Sequence, residues 1–352
     1  MESRTPLSLI FSTAGLQSSI SLLYISIVIL ISSTAFGHFL PQQTVDHEHV
    51  NQSCHPVEGS TESGNKSSRP NWDTLLYRSS SPAQDGTTLI ITQDGKKHVI
   101  KDIYSTEFEY QWGLQAPLAG CPNLRVAKDT VPEHLLFIYD FLTEDLLGLA
   151  RRDSLSCTAR KRILRDSLTG LAALHERGIL HGDIKPNNIF VDCDLVDGTI
   201  KVERAQIGDL EMGSMIPPGL NVRDARLGNP MWRSPESHAA ARINTPSDVF
   251  SFGLVVSDRS NLPSFQAVTL SFGDGPGLVR FLQHLEDDSA EWRDIVVAVA
   301  DGFTPEDPRK PLSMWEDVDE PFRDIVAKMT SLDPARRITA KDALEHPWFN
   351  HI

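Results

Sequence analysis

The most constrained stretch of the chain is His181-Gly182-Asp183-Ile184-Lys185-Pro186-Asn187-Asn188, set between the apolar runs Gly178-Ile179-Leu180 and Ile189-Phe190-Val191. It carries a carboxylate, an ammonium two residues on, and a carboxamide three beyond that. Pro186 stiffens the backbone between the last two. The run before it ends a helical pattern and the run after it reads as a short strand, so this polar loop is held at both ends. These side chains suit one chemistry. The carboxylate orients a hydroxyl, the ammonium neutralises a moving phosphoryl group, and the amide oxygen ligates a hard cation.

At 352 residues the chain has room for one large domain or two small ones. A hydrophobic content of 40% and a charged content of 23% are ordinary for a globular protein. The net charge of −14 argues against nucleic acid as the main partner, since phosphate binding needs a basic face. Cys54, Cys121, Cys157 and Cys193 are widely spread and form no C-x-x-C pair. They read as reduced thiols rather than as a zinc site or a disulfide framework.

From Thr5 to Val45 there is no Asp, Glu, Lys or Arg, and Ile20–Ile31 is strongly apolar. Extended through residues 20–40, this run is about long enough to cross a bilayer, which takes ~20 residues. The first 40 residues therefore read as a single-pass signal anchor, against a cleaved signal peptide or a misplaced start. Arg4 is the one Lys or Arg before Lys66, which taken alone would put the C-terminal bulk outside, whereas a phosphate-transfer site drawing on cytosolic ATP argues the other way and places that bulk in the cytosol. Asn51-Gln52-Ser53 and Asn65-Lys66-Ser67 are glycosylation sequons that also arise by chance in such composition. Residues 41–71 are rich in Ser, Asn, Gln, His and Glu and read as a disordered polar linker.

Order is expected from Trp72. Thr74–Tyr77 and Thr87–Thr92 read as strands, Asp94-Gly95 as a hairpin turn, and Lys97–Ile103 as a third strand. Thr106 to Leu118 can form a helix capped near Thr106, made short or irregular by Gly113 and Pro117. Leu135–Leu146 is an apolar strand running into a polar helix start. Ile163, Leu164, Leu168, Leu171, Ala172 and Leu174 give an amphipathic helix over Thr158–Glu176, stopped by Gly178. Beyond the polar loop, Ile189–Val191 and Thr199–Val202 form a hairpin around Asp197-Gly198. Met212–Asn229 is polar, contains Pro217-Pro218-Gly219 and reads as mobile. These patterns alone give a mixed domain whose later half is mostly helical.

The polar loop resembles the catalytic loop of eukaryotic protein kinases, H-R-D-x-K-P-x-N, with Gly182 where that family usually has arginine. From Trp72 to the C-terminus other motifs follow in the family's order. His98-Val99-Ile100-Lys101 is similar to V-A-I-K, and Asp209-Leu210-Glu211 stands in place of D-F-G. Gly228–Glu236 resembles G-T-x-x-Y-x-A-P-E, Ser247–Gly253 resembles D-V-W-S-x-G, and Asp333–Ala340 looks like a closing segment. The resemblance implies an α+β, two-lobed fold. A small antiparallel β-sheet lobe with one helix spans residues 72–140, and a larger, mainly helical lobe spans residues 141–352.

The resemblance also implies ATP and Mg2+ as cofactors and assigns the site residues. Asp183 becomes the base and Lys185 the charge stabiliser, with Asn188 and Asp209 as metal ligands. Lys101 anchors phosphates and pairs with a helix glutamate, Glu109, with Glu107 as the rival. Val99, Tyr139 as gatekeeper, Leu142 of the hinge segment Asp140–Leu142, and Phe190 beneath the ring enclose the adenine. Asp248 braces the loop backbone, and Arg337 pairs with Glu236. Three departures stand out. Ser79–Gly86, in place of the glycine-rich loop, keeps only Gly86, and Pro82 removes an amide donor. Glu211 replaces a glycine, and Asn229 replaces a threonine.

Two functions follow as expectations. The first is a serine/threonine protein kinase acting on proteins not yet identified. The second is a pseudokinase serving as an ATP-binding or scaffold module.

Overall fold

A hairpin opens the described part of the chain. The computed structural model describes residues 87–91, 95–257, 275–285, 290–301 and 318–350. The expected strand Thr74–Tyr77, the loop Ser79–Gly86, the hydrophobic residues 1–40 and the linker 41–71 lie outside the described residues. So does Cys54, while Cys121, Cys157 and Cys193 are free thiols. Among the described residues no helix is long and apolar enough to cross a membrane.

Strand β1 (Thr87–Ile91) pairs antiparallel with β2 (Lys97–Asp102), setting Thr87 opposite Lys101 and Ile91 opposite Lys97. Two further strands are β4 (Asp129–Val131) and β5 (Leu136–Asp140), and the sheet order is β1-β2-β5-β4. Successive side chains of a strand point to opposite faces. Ile100, Val131, Leu136 and Ile138 accordingly cluster on one face. Ile103, Phe108, Ala127, Phe137 and Tyr139 cluster on the other. The helix Phe108–Gln115 lies on that second face. It presses Phe108 and Trp112 edge-on to Phe137, with ring centroids 5.0 and 6.0 Å apart. Phe137 is fully buried, which contributes roughly 1.5–3 kcal/mol. Thr106 does not cap this helix. Glu107 holds the N-cap position and makes no side-chain cap bond, and Ala116–Leu118 continues as a 3-10 turn.

The second lobe is built on the helix Cys157–His175, capped where Ser156 Oγ accepts the Ala159 amide. Its inward face carries Ile163, Leu164, Leu168, Leu171 and Leu174, the spacing of one helical stripe. The strands beside it are β3 (Leu124–Arg125), β6 (Glu144–Asp145), β8 (Ile189–Val196) and β9 (Thr199–Gly208), in the order β3-β9-β8-β6. The hairpin of β8 and β9 is longer than expected, with a register shift between Asp192 and Cys193. Helix Pro246–Val256 is buried from Ser247 onward, and helix Glu320–Met329 turns Ile325, Val326 and Met329 into the same core. The result is an α+β molecule of two lobes, one a small sheet with a helix, the other mainly helical.

The polar segment Met212–Asn229, expected to be mobile, is pinned in three places. Strand β10 (Ser214–Met215) pairs with β7 (Ile179–Leu180). The Ile216 amide donates to the Gly178 carbonyl at 2.8 Å, and Val222 and Ile243 exchange two bonds of 2.9 Å. This segment covers the polar loop instead of hanging free of it.

Candidate active site

The polar loop is shaped by one carboxylate from a neighbouring helix. Asp248, in the first turn of Pro246–Val256, accepts the His181 amide on Oδ2 at 2.8 Å and the Gly182 amide on Oδ1 at 2.9 Å. An anion in a helix's first turn is favoured by the helix dipole, and His175 Nε2 lies 3.0 Å from the same Oδ2. His181 is fully buried, and its bonds settle its tautomer. The Asp183 amide donates to Nδ1 at 3.2 Å, so that nitrogen is bare. Nε2 then carries the proton and donates to the Gly208 carbonyl at 3.0 Å. The loop is thereby joined to the end of β9. Gly182 has φ +79°, and a Cβ there would stand 2.9 Å from the Met212 carbonyl oxygen. An arginine at this position would displace the segment that covers the loop.

Asp183 Oδ1 accepts the Asn229 amide at 2.9 Å. Its Oδ2 accepts Lys185 Nζ at 2.6 Å and Asn188 Nδ2 at 3.2 Å. Asn188 Nδ2 also donates to the Asp183 carbonyl at 2.8 Å. Two side chains predicted from sequence, Lys185 and Asn188, thus meet at the predicted Asp183 carboxylate. Asn229 contributes through its backbone, because its side-chain oxygen is taken by the Met231 amide at 2.9 Å.

The Lys101–Glu109 pair does not form. Lys101 Nζ is held by Asp209 Oδ1 at 2.7 Å and Glu211 Oε1 at 2.6 Å. Helix Phe108–Gln115 turns Phe108, Gln111, Leu114 and Gln115 inward, leaving Glu107 and Glu109 exposed. The inward polar position belongs to neutral Gln111, whose Nε2 donates to the Glu211 carbonyl at 2.9 Å. The anchoring carboxylate has moved from the helix to the segment that carries Asp209. Glu211 is the partner of Lys101 that sequence reasoning missed. The available signal was an acid standing where the resembling family has glycine.

Burial alone would lower the Lys101 pKa, but Asp209 and Glu211 raise it above its ordinary value. Burial likewise pushes the Asp209 carboxyl up, and the Lys101 ammonium with its hydrogen bond outweighs that and holds it low. Asp209 itself sits at φ +65°, ψ +61°. This left-handed conformation costs a residue with a Cβ about 1–2 kcal/mol, and the Lys101 bond helps hold it there. Asn188 turns its amide nitrogen inward to Asp183, leaving its oxygen as the end available to a cation. With the Asp209 carboxylate, that donor set is all oxygen and fits a hard divalent ion such as Mg2+.

Of the residues expected around an adenine ring, Tyr139 and Phe190 are joined through a third side chain. Val99 stands opposite Tyr139 in the β2–β5 pairing, and Leu142 is buried. Tyr139 and Phe190 are brought together by Arg125, whose guanidinium carbon lies 5.0 Å from the Tyr139 ring centroid and 4.4 Å from that of Phe190. Arg125 Nε donates to the Asp140 carbonyl at 3.0 Å. Burial pulls the Arg125 pKa down to about 10. Farther off, Arg337 grips Glu236 in a buried pair, Nη1 to Oε1 at 2.6 Å and Nη2 to Oε2 at 3.2 Å.

A lysine anchored between two carboxylates, and a fixed carboxylate flanked by lysine and asparagine, make the kind of arrangement that phosphoryl transfer calls for. Residues 124–349 match the protein kinase domain family, and the chain belongs to it. The match begins downstream of β2 and Lys101. Cyclin-dependent kinase B2-1 of Oryza sativa subsp. japonica is 25% identical over 231 residues, covering 62% of this chain and 66% of that protein. The chain thus spans just under two thirds of that relative's length.

Proposed function

We propose that the chain is a serine/threonine protein kinase that uses ATP and magnesium to phosphorylate protein hydroxyls. One arrangement carries the reading: the Asp183 carboxylate, fixed by Lys185, Asn188 and the Asn229 amide, on a loop tied to Asp248. Asp183 orients the substrate hydroxyl and takes its proton as the oxygen bonds to the γ-phosphorus. The bond from that phosphorus to the β–γ bridging oxygen breaks, and ADP leaves. Lys185 neutralises charge on the moving phosphoryl group, and Lys101 holds the phosphates behind it. Asn188 and Asp209 would hold magnesium, which when bound supplies positive charge to the phosphate oxygens. The serine/threonine assignment is supported by Lys185 two residues after Asp183. A relative named as a cyclin-dependent kinase is in keeping with it.

Purified protein with labelled ATP, magnesium and a generic protein substrate tests this reading. The expected result is label on serine or threonine. A protein that binds ATP and transfers nothing would favour a second reading, a kinase-like binding module. That reading draws its support from Lys101 being held by Asp209 and Glu211 while the helix offers only Gln111.

Within the kinase reading, Glu211 replaces a helix glutamate as the partner of Lys101. Glu211→Ala is expected to raise the KM for ATP several-fold, the scale of one partly exposed charge-assisted bond. Glu109→Ala should leave it unchanged. Steady-state kinetics checks both, and the reverse order of effects would refute the assignment. We also propose that residues 20–40 anchor the protein in a membrane, with the kinase unit on the side that holds ATP. Fractionation followed by protease protection is expected to find membrane-bound protein whose kinase unit is digested from the cytosolic face. Recovery in the soluble fraction would overturn it.

A further inference from the structure

We propose that Arg125 is an internal occupant of the nucleobase seat, so that the base of a nucleotide binds only when this guanidinium leaves. The inference deepens the kinase reading and rests on it for the identity of the seat.

A purine base needs two things from such a site, a face to stack on and a backbone carbonyl to accept from its exocyclic amine. Arg125 takes both. Its guanidinium is planar, delocalised and rich in N–H donors, which is what a base presents. It lies over the Phe190 ring at 4.4 Å and beside Tyr139 at 5.0 Å. Its Nε uses the Asp140 carbonyl, the first of the hinge segment, at 3.0 Å.

The backbone is adapted to admit it. Strand β3 pairs in parallel with β9, which places Arg125 opposite Gly208. A Cβ on Gly208 would stand 2.9 Å from the Arg125 Cβ and 3.1 Å from Phe190 Cε2. Any larger residue before Asp209 would push the arginine off its ring. The guanidinium is also displaceable. Only 9% exposed, it makes no ion pair among the described residues, so stacking and one hydrogen bond hold it. Nothing comparable to the Arg337–Glu236 pair locks it in place.

Binding of two ligands to the full chain, Mg·ATP and Mg·tripolyphosphate, tests the idea by calorimetry. Both carry the phosphates, and only ATP carries the base. In the wild type the base must displace Arg125, so the two affinities are expected to agree within about threefold. In Arg125→Ala the seat is open, and ATP should bind about tenfold or more tighter than in the wild type, with tripolyphosphate unchanged. A wild type that prefers ATP to tripolyphosphate by more than about tenfold overturns the proposal. So does a folded Arg125→Ala with unaltered preference. If Arg125→Ala fails to fold, the wild-type comparison decides, and Arg125→Val, a strand-compatible side chain too short to cover the Phe190 ring, repeats the second arm. These readouts do not depend on transfer. Tighter ATP binding in Arg125→Ala without phosphoryl transfer would sustain the occupant and sink the kinase reading.

Discussion

Asp183→Asn is expected to lower the rate of phosphoryl transfer by about 10²–10⁴-fold, the range for losing a positioned general base. The substitution is close to isosteric. An asparagine oxygen can still accept the Asn229 amide, and the loop backbone remains tied to Asp248. What disappears is the negative charge that Lys185 and Asn188 both address. The loss should therefore fall on kcat at saturating ATP, with nucleotide affinity and the thermal midpoint nearly unchanged. Single-turnover transfer with labelled ATP measures the first, and calorimetry and thermal unfolding measure the others. If the variant kept more than about a tenth of the wild-type rate, Asp183 would be no base. If affinity fell together with rate, the carboxylate would be acting on nucleotide binding instead.

The parts of this site that sequence made legible are those whose geometry is local. Asp183, Lys185 and Asn188 sit within one loop, and a stiff loop with anchored ends leaves few ways to arrange them. Asp209 is one hairpin farther on, and the β8–β9 ladder fixes the distance it must span. The two lobes were legible through motif order, not through periodicity. Where periodicity fades, sequence implies strands shorter than the observed Ile189–Val196 and Thr199–Gly208. Beyond Val191 and before Ala205 the side chains alternate toward solvent, and several are exposed, so the apolar signal stops before the ladder does.

The partner of Lys101 was not legible, because it depends on helix rotation. One residue along a helix is about 100° of turn, so the glutamate next to buried Phe108 points away from the site. Arg125 gave no signal at all. In sequence it is an arginine between short apolar residues, and its burial follows from the parallel pairing of a two-residue strand against Gly208. Both surprises arise from contacts between segments about 80 to 110 residues apart, where local pattern carries no information.

The largest expected loss of stability lies away from the reacting atoms, at Arg337. Its side chain and that of Glu236 are 0% and 1% exposed. The guanidinium meets Glu236 bidentately, the Pro246 carbonyl at 2.7 Å and the Ser331 carbonyl at 2.9 Å, and lies over the Phe250 ring at 5.0 Å. Arg337→Met fills much of the space but strands the Glu236 carboxylate without water or partner. A buried charge left that way costs about 3–5 kcal/mol. Urea unfolding should show that loss as a lowered midpoint at unchanged slope. Removing the stranded charge as well, in Arg337→Met with Glu236→Leu, should recover much of it, since two apolar groups leave no carboxylate to desolvate. A single-variant loss below about 1 kcal/mol would mean the carboxylate finds water or a proton, and that the pair is not sealed. The effect also reaches the catalytic loop. Pro246, whose carbonyl Arg337 holds, opens the helix on which Asp248 fixes the His181 and Gly182 amides. Arg337→Met should therefore slow transfer more than its unfolded fraction explains, and the double variant, still lacking that tie, should regain stability before it regains rate.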